Sequence, residues 1–97
     1  MSLMEVASRT GVTLADIESL IRGDVSVAIA NRLEVPLLAL QDFLSRGEAS
    51  ANLAHRLGTS MSAAEELAAA LGSEGRIGIL VGLMLSAKQS RAAEAGR

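Results

Sequence analysis

The chain has 97 residues, no cysteine and a formal net charge of −2. This length fits one small domain with a single core, and the absence of cysteine excludes disulfides and thiolate metal sites. Apolar residues make up 49% of the chain, but Phe43 is the only aromatic residue. The core must therefore consist of Leu, Ile, Val, Ala and Met, which suit packed helices better than a sheet.

The first two predicted helices are short. Residues 3–10 predict a helix that ends at Gly11. Thr13 and Asp16 then have the spacing of a capping box. They precede apolar residues at helical spacing, namely Leu14, Ile17, Leu20 and Ile21. We therefore expect a second helix that ends at Gly23.

The segment of residues 24–47 repeats this plan. Asp24 is a suitable N-cap for a third helix, and Pro36 lies where a fourth should begin, in a turn that tolerates proline. The fourth helix carries the apolar stripe Leu37, Leu40, Phe43 and Leu44 and ends at Gly47. We interpret Leu37 and Leu38 as core residues, with a contact to a partner as the alternative.

A third segment follows the same order. Residues 53–57 predict a fifth helix, which Gly58 ends. Ser62 and Glu65 suggest a further capping box for a sixth helix. Residues 72–75, with the sequence Gly-Ser-Glu-Gly, predict the clearest loop in the chain.

The last predicted helix, residues 75–87, is apolar nearly all round. Gly78 and Gly82 have a spacing that lets another helix approach closely. The helix either packs against the preceding ones or joins two chains, because an apolar surface of this size needs a cover. In the second case the interface would contain Ile77, Gly78, Leu80, Val81, Gly82, Met84 and Leu85. Residues 88–97 are polar and predict a frayed tail.

The three segments, about residues 3–23, 26–47 and 50–72, are copies of one unit. Arg9, Arg32 and Arg56 lie 23 and 24 residues apart. The matched positions carry similar side chains, as in Ala7, Ala30 and Ala54, and in Leu20, Phe43 and Leu67. A unit this short cannot bury its apolar stripe alone, so we expect neighbouring units to pack on each other.

Each unit resembles the helix-turn-helix of phage-repressor and bacterial-regulator DNA-binding domains, over roughly residues 3–71. The resemblance rests on the small residue of the first helix, a glycine at the turn and the apolar inner face of the second helix. Gly11 and Gly58 fill the turn position, whereas the second unit has Glu34 there.

The resemblance implies that the second helix enters the major groove and that its exposed side chains read bases. These positions are Thr13, Ala15, Asp16, Glu18 and Ser19, then Pro36, Leu38, Ala39, Gln41 and Asp42, then Ser60, Ser62, Ala63, Glu65 and Glu66. Only Gln41 is of a base-reading type, and five of the fifteen are carboxylates.

Charge separates two functional hypotheses. Residues 1–86 carry six basic and ten acidic side chains, which disfavours nucleic acid as a partner. We therefore expect a non-catalytic interaction or assembly module that binds a protein partner or associates with copies of itself as a homo-oligomer. The alternative is a DNA-binding transcriptional regulator. Its phosphate contacts would be Arg9, Arg22, Arg32, Arg46, Arg56, Lys88 and Arg91.

No motif predicts an enzyme, a cofactor or a metal site. His55 is the only histidine, and we interpret it as a solvent-facing helix residue. Glu65 and Glu66 are adjacent and would point to different faces of a helix, which argues against an acid–base pair. The longest apolar run, residues 77–87, is shorter than the roughly 20 residues of a membrane-spanning helix. We expect a cytoplasmic protein without a membrane partner.

Overall fold

Six helices form the described part of the chain, and no strand occurs there. The computed structural model describes residues 2–95, with the side chains of residues 2–86. The helices are α1 Leu3–Thr10, α2 Leu14–Ile21, α3 Val27–Leu33, α4 Leu37–Arg46, α5 Ala51–Leu57 and α6 Met61–Ala95. The predicted all-α class is confirmed.

Helix α6 accounts for the difference between the roughly seven helices predicted and the six observed. The chain is helical on both sides of Gly72, whose φ of 72° and ψ of −172° lie outside the helical region. The loop predicted over residues 72–75 is therefore wrong, because only Gly72 departs from helical geometry and residues 73–75 are helical. Glycine adopts this positive φ without the steric cost that a Cβ atom brings.

For residues 87–95 the structure describes the backbone but not the side chains. Helix α6 continues to Ala95, but no side chain after Ser86 is described. The frayed tail at residues 88–97 therefore stays a prediction.

Capping residues recur along the chain at nearly constant spacing. Helices α1, α3 and α5 each follow a serine whose hydroxyl accepts a hydrogen bond from the backbone N–H three residues further on. These serines are Ser2, Ser26 and Ser50. Each of these helices ends at a residue in the left-handed conformation. These residues are Gly11, Glu34 and Gly58.

The caps of the second helices agree with the sequence in part. Thr13 caps α2 as predicted, because its Oγ1 accepts from the N–H of Asp16 at 3.2 Å. Pro36 is the N-cap of α4, which begins one residue later. The cap of α6 is Ser60 and not Ser62, since Ser60 Oγ accepts from the N–H of Ala63 at 3.1 Å.

The predicted cap of α3 is wrong. Ser26 and not Asp24 precedes the first helical residue. The backbone N–H of Asp24 donates instead to the carbonyl oxygen of Ser19 at 2.9 Å. Asp24 therefore belongs to the connection that closes α2.

Helix α6 holds the fold together, because it contacts each of the five other helices. Ala64 and Ala68 before Gly72, and Leu80 and Met84 after it, have no exposed surface. They join a core whose large members include Ile17, Leu20, Ile29, Leu33, Leu40, Phe43 and Leu53. The helices of the first two segments and α5 thus all contact α6, whose first part belongs to the third segment.

Burial divides the interface predicted within α6. Leu80 and Met84 are 0% exposed, so their assignment to an interface is wrong, because a fully buried side chain has no surface to offer. Gly78 and Gly82 are exposed, and a Cβ atom built on either would meet nothing within 4 Å. The other three residues, Ile77, Val81 and Leu85, are half-buried.

Length and composition alone would let part of α6 cross a membrane. Among the described residues, Met61–Ser86 is the one helical stretch that meets this criterion. It also contains Gly72, where the helix breaks, and the buried Leu80 and Met84. In the most apolar 18-residue window of this stretch, 17% of the residues are buried inside the protein.

Candidate functional site

Among the fifteen positions predicted to face the groove, Gln41 carries the one side chain of a base-reading type. Its amide makes hydrogen bonds within the chain. Its Oε1 accepts from the N–H of Val25 at 3.0 Å. Its Nε2 donates to the carbonyl oxygen of Gly23 at 2.7 Å and to Ser45 Oγ at 3.3 Å. Gln41 thus fixes the connection between α2 and α3 on α4, and its amide is not available to a base.

Glu65 makes the equivalent bond to the backbone in the next segment. Its Oε2 accepts from the N–H of Ala49 at 3.1 Å. Both bonds link residues 16 apart, and both reach the residue just before the N-cap of a first helix, which is Ser26 or Ser50. Two positions that would read bases in the family therefore hold the backbone of this chain.

Two of the arginines predicted as phosphate contacts are also used internally. Arg32 Nη2 donates to the carbonyl oxygen of Met84 in α6 at 3.2 Å. Arg56 Nε donates to the carbonyl oxygen of Leu33 at 2.8 Å, and its Nη2 pairs with the carboxylate of Glu34. The bond from Arg56 satisfies a carbonyl group at the end of α3. The bond from Arg32 joins α3 to α6, so both arginines are engaged within the chain.

The other predicted phosphate contacts stay at the surface. Arg9 and Arg22 are exposed, and Arg22 Nη2 donates to Ser19 Oγ at 3.3 Å. Arg46 is 70% exposed and lies 4.0 Å from the carboxylate of Glu48. Lys88 and Arg91 lie outside the residues with described side chains. Arg9, Arg22 and Arg46 therefore remain exposed cations, whereas Arg32 and Arg56 are used within the chain.

Arg76 is a structural residue that sequence reasoning missed. Its Nε donates to the carbonyl oxygen of Ala68 at 2.9 Å, and its Nη1 donates to that of Leu44 at 3.1 Å. It thereby joins the two parts of α6 and fixes them on the end of α4. In the sequence, Arg76 is a single charge at the start of the apolar run that begins at Ile77. Such a charge does not indicate a particular role.

Large apolar side chains are exposed on several helices. They are Leu3, Met4, Leu14, Ile21, Val27, Leu38, Met61, Leu67 and Leu71. The interpretation of Leu38 as a core residue is wrong, because 75% of it is exposed. Leu37 beside it is half-buried against the core.

One open cleft of about 320 Å³ lies between α2, α4 and the part of α6 after Gly72. Its apolar lining comes from Ile21, Leu44 and Ile77, and its polar lining includes Arg22 and Ser45. No carboxylate lines it. The lining therefore combines apolar and polar side chains, and Arg22 is its one charged residue.

The described residues contain no group of three or more His, Cys, Asp or Glu side chains that could hold a metal ion. His55 is exposed, as predicted. Comparisons with protein-family models, with curated proteins and with solved structures found no match for this chain.

Proposed function

We propose that the chain is a non-catalytic helical assembly module that associates with copies of itself in the cytoplasm. The observation that carries the proposal is that nine large apolar side chains are exposed among the residues whose side chains are described. Exposed apolar side chains are groups through which a small protein can contact other proteins. A second chain is the simplest partner, because every copy presents the same surface.

The proposal includes three helix-turn-helix-like units as the scaffold. It is supported by the recurring serine caps and by the left-handed residues Gly11, Glu34 and Gly58 that end the first helix of each unit. The bonds from Gln41 and Glu65 to equivalent backbone positions add a second recurring feature. In this arrangement the units keep the residues that shape a helix-turn-helix, whereas the positions that would face a DNA groove lack free side chains that read bases.

DNA binding is the alternative, and the contacts of the arginines weigh against it. Arg32 and Arg56 donate to carbonyl groups of the chain itself. Both the oxygen and the nitrogen of the Gln41 side-chain amide are bonded to backbone groups. Among the residues with described side chains, a DNA-binding role would have to rest on Arg9, Arg22 and Arg46. Phosphate neutralisation needs several cations on one face.

The experiment is sedimentation velocity of the full chain over a range of concentrations, with and without duplex DNA at low salt. We expect the mass to rise with protein concentration and to be unaffected by DNA. A monomer at every concentration would contradict the assembly role. A complex with DNA that weakens steeply with salt would support the regulator instead.

A further inference from the structure

Helix α6 bends at one residue, whose backbone conformation is essentially restricted to glycine. Gly72 has a φ of 72° and a ψ of −172°, which lie in this restricted region. The residues on both sides of Gly72 are helical. A change of the two backbone angles at Gly72 would therefore join both parts into one continuous helix, Met61–Ala95. We call residues 73–95 the closing segment.

A second glycine, Gly75, fits the bent form and does not require it. A Cβ atom at Gly75 would lie 2.4 Å from the Cβ atom of Leu71, a separation that real Cβ atoms essentially never show. In a continuous helix, the Cβ atoms of residues four apart are about 5–6 Å from each other. The bend thus excludes a side chain at residue 75, whereas a straight helix would accept one.

Arg76 makes a hydrogen bond that only the bent form allows. Its Nε donates to the carbonyl oxygen of Ala68 at 2.9 Å. In a continuous helix, residues eight apart are separated by about 12 Å along the axis, which is further than an arginine side chain extends. Its Nη1 also donates to the carbonyl oxygen of Leu44 at the end of α4, at 3.1 Å. Arg76 therefore holds the bend closed.

The closing segment fills a place in the core that straightening would empty. Its Leu80 and Met84 are 0% exposed. The carbonyl oxygen of Met84 accepts from Arg32 Nη2 in α3 at 3.2 Å. If α6 straightened, these side chains would leave the core of their own chain and expose a groove of their own shape. The closing segment of a second copy fits this groove, because it has the same sequence and can make the same contacts.

We propose that Gly72 is a hinge and that two copies of the chain exchange their closing segments when α6 straightens. The inference rests on the proposed self-association and gives it a mechanism. In the exchanged dimer each core regains Leu80 and Met84, and each Arg32 regains its acceptor. The strained backbone of Gly72 is released, whereas the bond from Arg76 to Ala68 is lost. Because the exchange is mutual, the dimer is closed and does not grow further.

Two substitutions in the full-length chain test the hinge. Gly72→Ala places a Cβ atom on a backbone conformation that alanine rarely adopts, and Gly75→Ala places one against Leu71. A straight helix accepts both alanines. We therefore expect each variant to lower the dissociation constant of the dimer at least about tenfold in sedimentation velocity. Circular dichroism checks that each variant is folded, and Gly75→Ala carries the test if Gly72→Ala is not.

Gly11→Ala is the matched control for backbone strain. Gly11 has a φ of 76°, close to that of Gly72, and a Cβ atom there would meet nothing within 4 Å. It ends α1, so its strain is not relieved when α6 straightens. We expect Gly11→Ala to leave the dissociation constant of the dimer unchanged. A decrease as large as that of Gly72→Ala would overturn the hinge.

Nuclear magnetic resonance of a mixed dimer locates the closing segment. Isotope-labelled and unlabelled chains are unfolded together, refolded and separated from monomer. Isotope-filtered spectra then report only the contacts between a labelled and an unlabelled chain. We expect such contacts between Met84 and α3, because the structure joins these two parts through Arg32. Contacts between Met84 and α3 within one chain only would overturn the exchange.

The two proposals fail in different ways. A wild-type chain that stays monomeric at every concentration contradicts the proposed self-association. If Gly72→Ala and Gly75→Ala are monomeric as well, the hinge is contradicted too, whereas dimers of these variants with exchanged segments would support it. A wild-type chain that associates as strongly as both variants, without exchanged segments, contradicts only the hinge. The association would then use the exposed apolar side chains.

Discussion

Arg56 in α5 binds Glu34 at the end of α3, 22 residues earlier in the chain. The same guanidinium group donates to the carbonyl oxygen of Leu33 at 2.8 Å. Glu34 has a φ of 59° and is the only non-glycine residue with a positive φ in the described part. A cation from the third segment thus holds the strained turn of the second.

Substitutions of Glu34 should separate backbone strain from the ion pair. We expect Glu34→Gly to be more stable than Glu34→Ala by about 1 kcal/mol, because glycine adopts the left-handed conformation without steric cost. Both variants lose the ion pair, which is partly exposed and is worth at most about 1 kcal/mol. Urea denaturation of the two variants measures the difference. Equal stabilities would show that the turn changes its conformation once Glu34 is replaced.

Loss of the Gln41 side chain should destabilise the fold. We expect Gln41→Ala to cost about 1–3 kcal/mol, because the N–H of Val25 and the carbonyl oxygen of Gly23 both lose their partner. Thermal denaturation followed by circular dichroism gives the measurement.

Glu65 offers a matched test of the same bond type. Glu65→Gln keeps an acceptor for the N–H of Ala49 and is expected to change the stability by less than about 0.5 kcal/mol, whereas Glu65→Ala should cost about 1 kcal/mol. An equal loss in both Glu65 variants would mean that the carboxylate charge and not the acceptor stabilises this connection.

Arg76 should be one of the most important polar residues for stability. Arg76→Met removes donors to the carbonyl oxygens of Ala68 and Leu44, and we expect a loss of roughly 2–3 kcal/mol in urea denaturation. Arg76→Lys should not restore it, because a single ammonium group lacks the planar fork that reaches both carbonyl groups. Arg46→Ala is the control at an exposed position, with an expected change within about 0.5 kcal/mol.

The glycines of α6 should respond in opposite directions. Gly78→Ala and Gly82→Ala should each stabilise the monomer by about 0.5–1 kcal/mol, because a Cβ atom at either position meets nothing within 4 Å. Gly75→Ala should destabilise it, because its Cβ atom would clash with that of Leu71. Denaturation at a concentration where the chain is monomeric measures all three. A weaker association of the first two variants would place the interface on the glycine face.

Local sequence signals predicted the helices well where one residue sets the backbone. Thr13 and Pro36 began helices, and Gly11, Gly47 and Gly58 ended them, within one residue of the predicted position. Predictions failed where two residues compete for the same role. Ser26 capped α3 in place of Asp24, and Ser60 capped α6 in place of Ser62.

Candidate site residues were less predictable than helices. The sequence shows that Gln41 is of a base-reading type and that Arg32 and Arg56 are cations, but it does not show where their hydrogen bonds go. Their bonds to backbone groups reach residues between 16 and 52 positions away. Only the packed chain brings such partners together.

The sequence by itself determined the helical class and the recurring pattern, because apolar periodicity and capping residues act over a few neighbouring positions. The tertiary structure decided which apolar residues are core. Leu20 and Phe43 are buried and Leu67 is exposed at equivalent positions, although all three fit the same pattern. Burial depends on what covers a side chain, and here the cover is α6, whose direction after Gly72 no local signal specifies.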